Sequence, residues 1–414
     1  MTSKSTTLSL INQREPRHGL SRELYLSSTV YQDDLEQIWH QEWIFAGHTF
    51  EIEKPGEYIT LQVGNYPIVV VRDSSGDIHA FHNACRHRGS RVCSKTKGKV
   101  AKLVCPYHSW TFDLDGKLLF AGNMGEQFNK NNYGLLPAHC EIINTYIYVC
   151  VAEHAPDFSQ FREAVSSFLS PHQLDNCKIA YESNLVEKGN WKLVFENNRE
   201  CYHCDANHPE LLNSFVENLS VAGVGGEEDP ELKAHWERCE AAGFPSHMVM
   251  DQQGQYRITR IPLFNNATSY TMNGKAAVNK RLDNSTEPNI GALLYFNYPS
   301  TWNHVLGDHA LSFRVLPLSP GETLVTTKWL VHKDAQEGID YDLDNLTKVW
   351  LATNDQDRQL VEETYRGVNS PAYIPGPFSD IAENGVCQFV DWYCDTMKNK
   401  LTNYKVKPSS DEFQ

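Results

Sequence analysis

The sequence predicts an α+β fold of two antiparallel sheets, the first small and poor in helix, the second with helices packed against it in a helix-grip-like arrangement. Three observations carry that reading. The chain has 414 residues, more than one ordinary core accommodates, so two domains are expected. Short alternating strands separated by turn residues fill residues 46–152. Further on, strand patterns give way to a long apolar stripe of helical period over residues 340–366.

Residues 1–45 read as an arm and a helix, capped by Ser28 or Thr29, with Tyr31, Leu35, Ile38, Trp39, Glu42 and Trp43 at helical spacing. In the domain at 46–152, strands are expected at 57–63, 67–72, 78–82, 100–104, 111–120 and 145–151. The 73–77 segment (Asp-Ser-Ser-Gly-Asp) is a turn, and Asp115-Gly116 is a hairpin signal. Residues 153–180 connect the halves through a helix with Phe158, Phe161, Val165 and Phe168 on one face. The second domain, 181–414, has its clearest strands at 292–298, 310–316 and 322–332. The Gly- and acid-rich stretch 221–230 reads as a mobile loop.

The formal net charge is -15, with 52 acidic against 37 basic side chains, which argues against a nucleic-acid partner. No apolar run approaches the ~20 residues of a membrane helix. The polar first stretch lacks the core of an export signal, so a cytoplasmic protein is expected, with its 11 cysteines reduced. Most of these, Cys150 among them, read as core; Cys201 and Cys204 form a CxxC to which no redox role is assigned.

Cys85-Arg-His87 and Cys105-Pro-Tyr-His108 form two short pairs, each supplying one thiol and one imidazole. A structural zinc would suit four such ligands. So would a Rieske [2Fe–2S] cluster, with both sulfurs on one iron and both imidazoles on the other. A second constellation lies at 196–209, ENNRECYHCDANHP. His203 and His208 are separated by about 140° on an ideal helix. Pro209 forces His208 out of helical geometry, so the helix is expected to end between the two, with both rings turned to one point. The C-terminal stripe Leu343, Leu346, Trp350, Thr353, Asp357, Leu360, Thr364 carries one charge, Asp357, which needs a cation or a metal if buried. Two imidazoles and a carboxylate with open positions suit a mononuclear Fe(II) that activates oxygen. Glu200 stands three residues before His203 and can accept its second N–H or bridge to another metal centre.

With these residues in view, the chain resembles the oxygenase α components of Rieske non-haem iron oxygenases, from Tyr31 to Trp392. The resemblance rests on Cys85-Arg-His87-Arg-Gly, on Cys105-Pro-Tyr-His108-Ser-Trp, and on Asn197-x-x-Glu200-x-x-His203-x₄-His208, within which Asn197 is a further catalytic candidate. It leans toward the quaternary-ammonium branch of that family. It implies that Asp357 is the third iron ligand. It implies a homotrimer in which Glu200, where many members have Asp, links His108 of one subunit to His203 of the next. It implies N-demethylation of glycine betaine to dimethylglycine and formaldehyde with O₂. Other substrates of the branch (proline betaine, carnitine, choline) stay open, as do aromatic-ring dioxygenation and a zinc-stapled binding module. The one Gly-rich run, Gly223-Val-Gly-Gly226, lacks a dinucleotide-site context, so electrons must come from a separate flavin and iron–sulfur reductase using NAD(P)H. Its docking face is expected near Arg86, Arg88, Arg91, Lys95 and Lys97. Tyr295, Phe296, Tyr298 and Trp302 are candidates for the ammonium, with Phe264 and Tyr270 behind them; His304, His309 and Asn303 are candidates for a substrate carboxylate.

Overall fold

In the computed structural model, which describes residues 3–215 and 230–403, two seven-stranded antiparallel sheets and a three-stranded one make up the β structure. The first large sheet joins Ile44–His48, Tyr146–Cys150, Pro137–Ile143, Ile78–His82, Tyr66–Arg72, Glu57–Val63 and Lys97–Lys99, in that spatial order. Its turn at Asp73 forms because Oδ1 accepts from the backbone N–H groups of Ser75 (2.8 Å) and Asp77 (2.9 Å), while Gly76 takes a φ of 96°. The three-stranded sheet, Leu103–Val104, Thr111–Phe112 and Leu118–Phe120, lies beside it. Its hairpin needs Gly116: φ is 85°, and a Cβ there would lie 2.4 Å from the Phe81 ring.

The second large sheet runs Cys177–Glu187, Glu322–His332, Ala310–Ser319, Thr301–Val305, Ala292–Asn297, Tyr256–Ile261 and Val249–Met250. Cys177–Glu187 starts inside the segment expected to be a connector, which ends instead with the helix Ser159–Leu169 and a short turn. That helix buries Phe161, Val165 and Phe168 as its spacing predicts, with Phe158 buried at its N-cap. The long helix Leu343–Val368 and the helix Asn384–Thr402 pack around the helix Trp191–Asn198 on one side of the sheet.

The arm differs from expectation in its cap and in its role. Ser27, rather than Ser28 or Thr29, accepts the Val30 N–H, and helix Ser28–Asp34 continues as a π-helical turn over Leu35–Trp39. The arm packs on the second half of the molecule. Asp34 and Lys192 form an ion pair with both side chains fully buried, and Asp34 also accepts from Trp191 Nε1 (3.1 Å) and the Tyr393 hydroxyl (2.8 Å). The two halves are joined by Lys328, which donates to both oxygens of Glu51 at 2.6 and 2.7 Å, and by Arg314 Nη1, which donates to the Ala46 carbonyl at 2.6 Å. The loop expected at 221–230 lies outside the described residues except for Pro230, which opens the helix Pro230–Ala241. No described helix is long and apolar enough to cross a membrane.

Candidate metal centres and active site

The two Cys/His loops are built alike. The Cys85 N–H donates to the Ser90 carbonyl at 2.8 Å, and the Cys85 carbonyl accepts from the Gly89 N–H at 2.9 Å. The Cys105 loop repeats this with Trp110 (2.8 Å) and Ser109 (3.1 Å). Gly89 and Ser109, at matching positions, both turn left-handed, with φ of 75° and 58°. This shared turn buries both sulfurs (Cys85 4% exposed, Cys105 2%) and sends both imidazoles to the surface. The His87 and His108 rings lie 4.6 Å apart; Trp110 stacks on His87 and Tyr107 on His108. Burial pushes the Cys85 thiol up, and the neighbouring Cys105 adds to that. Sulfurs paired inside and imidazoles paired outside fit a two-iron cluster with split ligation better than one tetrahedral ion.

The second site departs from the expected helix geometry. Helix Trp191–Asn198 stops before Glu200, and His203 and His208 instead flank a single turn, Cys204–Asn207. His208 does leave the helical region, with φ -121° and ψ 61°, as Pro209 requires. The two Nε2 atoms face each other at 3.0 Å. Asp357 brings Oδ1 to 3.0 Å from that of His208 and 3.3 Å from that of His203. This oxygen is buried and accepts no aligned hydrogen bond among the described residues. Two imidazole nitrogens and an orphaned carboxylate oxygen converging on one point fit a divalent iron.

Both outer nitrogens are held. His203 Nδ1 contacts Glu200 Oε1, and Glu200 Oε2 accepts the backbone N–H groups of Tyr202 and His203. Glu200 therefore meets His203 through a turn rather than along a helix face. His208 Nδ1 lies 2.8 Å from Gln356 Oε1, whose amide nitrogen donates to Glu210 at 2.9 Å. Gln356 was not singled out from the sequence; the rule that a metal-bound imidazole needs a partner on its far nitrogen would have directed attention to it. Burial opposes charge on His203, but the carboxylates of Asp357 and Glu200 beside its two ring nitrogens outweigh it and push its pKa up to about 9. Burial likewise raises Asp357, yet the two imidazoles prevail and hold the carboxyl below its usual range. A site so tuned binds protons when it holds no metal.

Two expectations about the neighbouring residues are corrected. Cys201 and Cys204 are joined as a disulfide, because the turn from Cys201 to Cys204, closed by the Cys204 N–H donating to the Cys201 carbonyl at 3.2 Å, brings their Cα atoms to 4.9 Å. Cys204, although its sulfur lies within 4.8 Å of the histidine donor atoms, therefore offers no thiolate. On the C-terminal helix the inward stripe holds through Thr353, but Thr364 is exposed and Val361 and Val368 are buried in its place. Asp355 is exposed and paired with Arg358.

Asn197, Glu200, His203, His208 and Asp357 open into one cavity of about 630 Å³ including its mouth. Strand register decides which candidates face it. Leu294 pairs with His304 and Phe296 with Trp302 on the cavity side. Tyr295 pairs with Asn303, and its ring packs against Tyr146 (centroids 5.7 Å apart) on the opposite face, so it borders the cavity without presenting its ring. Tyr298 is buried among Phe296, Phe389 and Trp392 and donates to Gln388 at 2.9 Å; it does not line the cavity. His309 also lies outside the lining, held by Asp308 at 3.1 Å and Ser269 at 3.3 Å. Burial, with Arg199 adding to it, lowers His304 to about 3, so that ring is neutral, and its Nδ1 meets the Tyr270 hydroxyl at 3.2 Å. Phe264 is exposed and outside the lining. The lining further includes Trp350, Phe215 and Arg199, which were not named as pocket residues from the sequence. Trp350 was legible as an inward position about two turns before Asp357; the other two carry no periodic signal.

A chain that joins paired Cys/His loops fit for split ligation to a two-histidine, one-carboxylate site defines an oxygenase class, and comparison with known families agrees. Residues 42–129 match the Rieske [2Fe-2S] domain and residues 174–399 the ring hydroxylating alpha subunit (catalytic domain). This chain belongs to the Rieske non-haem iron oxygenases, whose α subunit carries one [2Fe–2S] cluster and one mononuclear iron and is reduced by a separate protein. Within that family it is 47% identical to the glycine betaine monooxygenase oxygenase subunit of Chromohalobacter salexigens, over 96% of this chain and 90% of that one. It is 44% identical to the protein of the same description in Pseudomonas aeruginosa, over 96% and 93%. Its fold matches the crystal structure of the quaternary ammonium Rieske monooxygenase CntA with a TM-score of 0.73, at 21% identity over 94% of this chain and 98% of that one.

Proposed function

We propose that this chain is the oxygenase component of a monooxygenase that N-demethylates glycine betaine. The observation that carries the reading is the placement of His203, His208 and Asp357 at a cavity walled by Trp302, Trp350 and the neutral His304. A quaternary ammonium cannot donate hydrogen bonds and is held by aromatic faces. The substrate follows from the full-length similarity to glycine betaine monooxygenase subunits.

The balanced reaction takes glycine betaine, O₂, two electrons and two protons to dimethylglycine, formaldehyde and water. Cys85, Cys105, His87 and His108 would hold the cluster, which would supply electrons, and His203, His208 and Asp357 would hold the iron, which would supply oxygen activation. The protein's own work is positional. Glu200 and Gln356 fix the two imidazole rings from behind. Trp302 and Trp350, 6% exposed each, keep water from the methyl groups. In a homotrimer the exposed His108 of one subunit meets Glu200 of the next, giving electrons a path between the two metals. The reductase, drawing on NAD(P)H, docks at the basic patch of Arg86, Arg88, Arg91, Lys95 and Lys97 beside the cluster loops.

The test is oxygen uptake and formaldehyde release by the holoenzyme with a reductase and NADH, across glycine betaine, carnitine, choline and proline betaine. Formaldehyde from glycine betaine in step with oxygen is expected. Absence of formaldehyde from all four would overturn the reading.

A further inference from the structure

One charged group in the cavity has no assigned task. Arg199 lines it together with the iron-site residues, and its Nε and Nη1 are buried without an acceptor among the described residues. The guanidinium carbon sits 4.1 Å over the Phe296 ring, and the Tyr298 hydroxyl lies beside it. A second guanidinium, Arg257, flanks the same ring at 5.4 Å and lines the same cavity. An arginine keeps its charge in a protein interior, and an unanswered buried charge is costly. Two more buried donors on this wall, Trp302 Nε1 and Trp350 Nε1, also lack an acceptor among the described residues. The cavity thus holds a buried guanidinium edge and two indole N–H groups without acceptors among the described residues, alongside Asn198 Oδ1 and Asn303 Oδ1, which lack donors there. His304, another basic group nearby, is neutral and adds no positive charge, so Arg199 is the cation that borders the iron-site residues on this wall.

We propose that Arg199 binds the carboxylate of a zwitterionic methylammonium substrate, and so selects carboxylate-bearing substrates over plain quaternary cations. The inference rests on the function proposed above and adds the residue that sets substrate class. Its guanidinium fork matches a carboxylate's two oxygens. The same charge repels an alcohol-bearing cation such as choline, which brings no anion to offset it. Phe296, already covered by Arg199, is removed from the ammonium cage, which leaves Trp302, Trp350 and Phe215 for the methyl groups.

The test is calorimetric titration of the holoenzyme with glycine betaine and with its methyl ester, which keeps the ammonium and loses the negative charge. The unaltered protein is expected to bind betaine more tightly than the ester. In Arg199→Gln, betaine affinity is expected to fall by about 10- to 100-fold while ester affinity holds or rises. Arg199→Lys, which keeps the charge without the fork, is expected to lie between them. The cluster's visible absorbance and the thermal transition show whether each variant is folded; if only Arg199→Lys folds, the same comparison is made with it. An equal fall for both ligands, or no fall for betaine, overturns the assignment of Arg199. Equal binding of the two by the unaltered protein does the same. Binding of neither refutes the proposed substrate itself, a distinguishable result.

Discussion

Asp357 places its Oδ1 3.0 Å from Nε2 of His208, although six of the second sheet's seven strands separate the two residues in the chain. That approach exists because helix Leu343–Val368 lies across helix Trp191–Asn198 and carries Asp357 down to the turn that bears both histidines. The same crossing brings Gln356 to the far nitrogen of His208. One helix thus supplies both a donor atom and the support for another.

Glu200 is the second relationship to test. It holds His203 Nδ1, and in the proposed trimer it also faces His108 of a neighbour. Glu200→Ala is expected to slow formaldehyde formation by about 10- to 100-fold, the range found when the support of a metal-bound histidine is removed. Chemical reduction of the cluster, followed by its absorbance, is expected to proceed normally. A turnover rate within about twofold of the unaltered enzyme would contradict both roles of this carboxylate.

Glu196 gives the fold a pH dependence. Burial, outweighing the hydrogen bond donated by Tyr25, raises its pKa to about 7. The folded state therefore holds a proton that the unfolded chain releases near the ordinary Glu value. Its contribution is complete below that ordinary value and is lost as pH rises through about 7. Glu196→Gln, which mimics the protonated form, is expected to raise stability above pH 7 on the order of 2 kcal/mol, after discounting for partial exposure, and to flatten the profile. The check is denaturant unfolding of both proteins between mildly acidic and mildly alkaline pH. Parallel profiles would show that Glu196 does not carry the proton.

The buried pair Asp34–Lys192 anchors the N-terminal arm to the catalytic half. Lys192→Met removes the cation and leaves Asp34 with only the neutral donors Trp191 and Tyr393. A loss of about 3–5 kcal/mol is expected in chemical unfolding. Adding Asp34→Asn to that variant is expected to recover part of it, since the stranded charge is then gone. A double variant no more stable than the single one would assign the loss to packing instead.

Much of this arrangement was legible in the sequence because it is local or periodic. The spacing of Cys85, His87, Cys105 and His108 required two matching turns, and the matching backbone bonds of Cys85 and Cys105 supply them. Asp357 stood out as a charge on an apolar stripe. What was misread depended on distant partners or on strand parity. Tyr295 and Trp302 look equally suited to hold a cation, yet a one-residue difference in parity puts Tyr295 against Tyr146 and Trp302 in the cavity. The helix expected to reach His203 ends at Asn198. Arg199, inside the quoted motif, gave no sign that its Nε and Nη1 would be left without an acceptor among the described residues, because its neighbours Phe296 and Tyr298 come from a distant part of the chain.

The central claim is that His203, His208 and Asp357 jointly hold an iron distinct from the cluster. Its most direct measurement is iron content together with the cluster's visible and electron paramagnetic resonance spectra in Asp357→Ala. The account predicts a fall from about three iron atoms per chain to about two, with unchanged cluster spectra and no formaldehyde. Full iron content in that variant, or loss of the cluster signal alone, would contradict it.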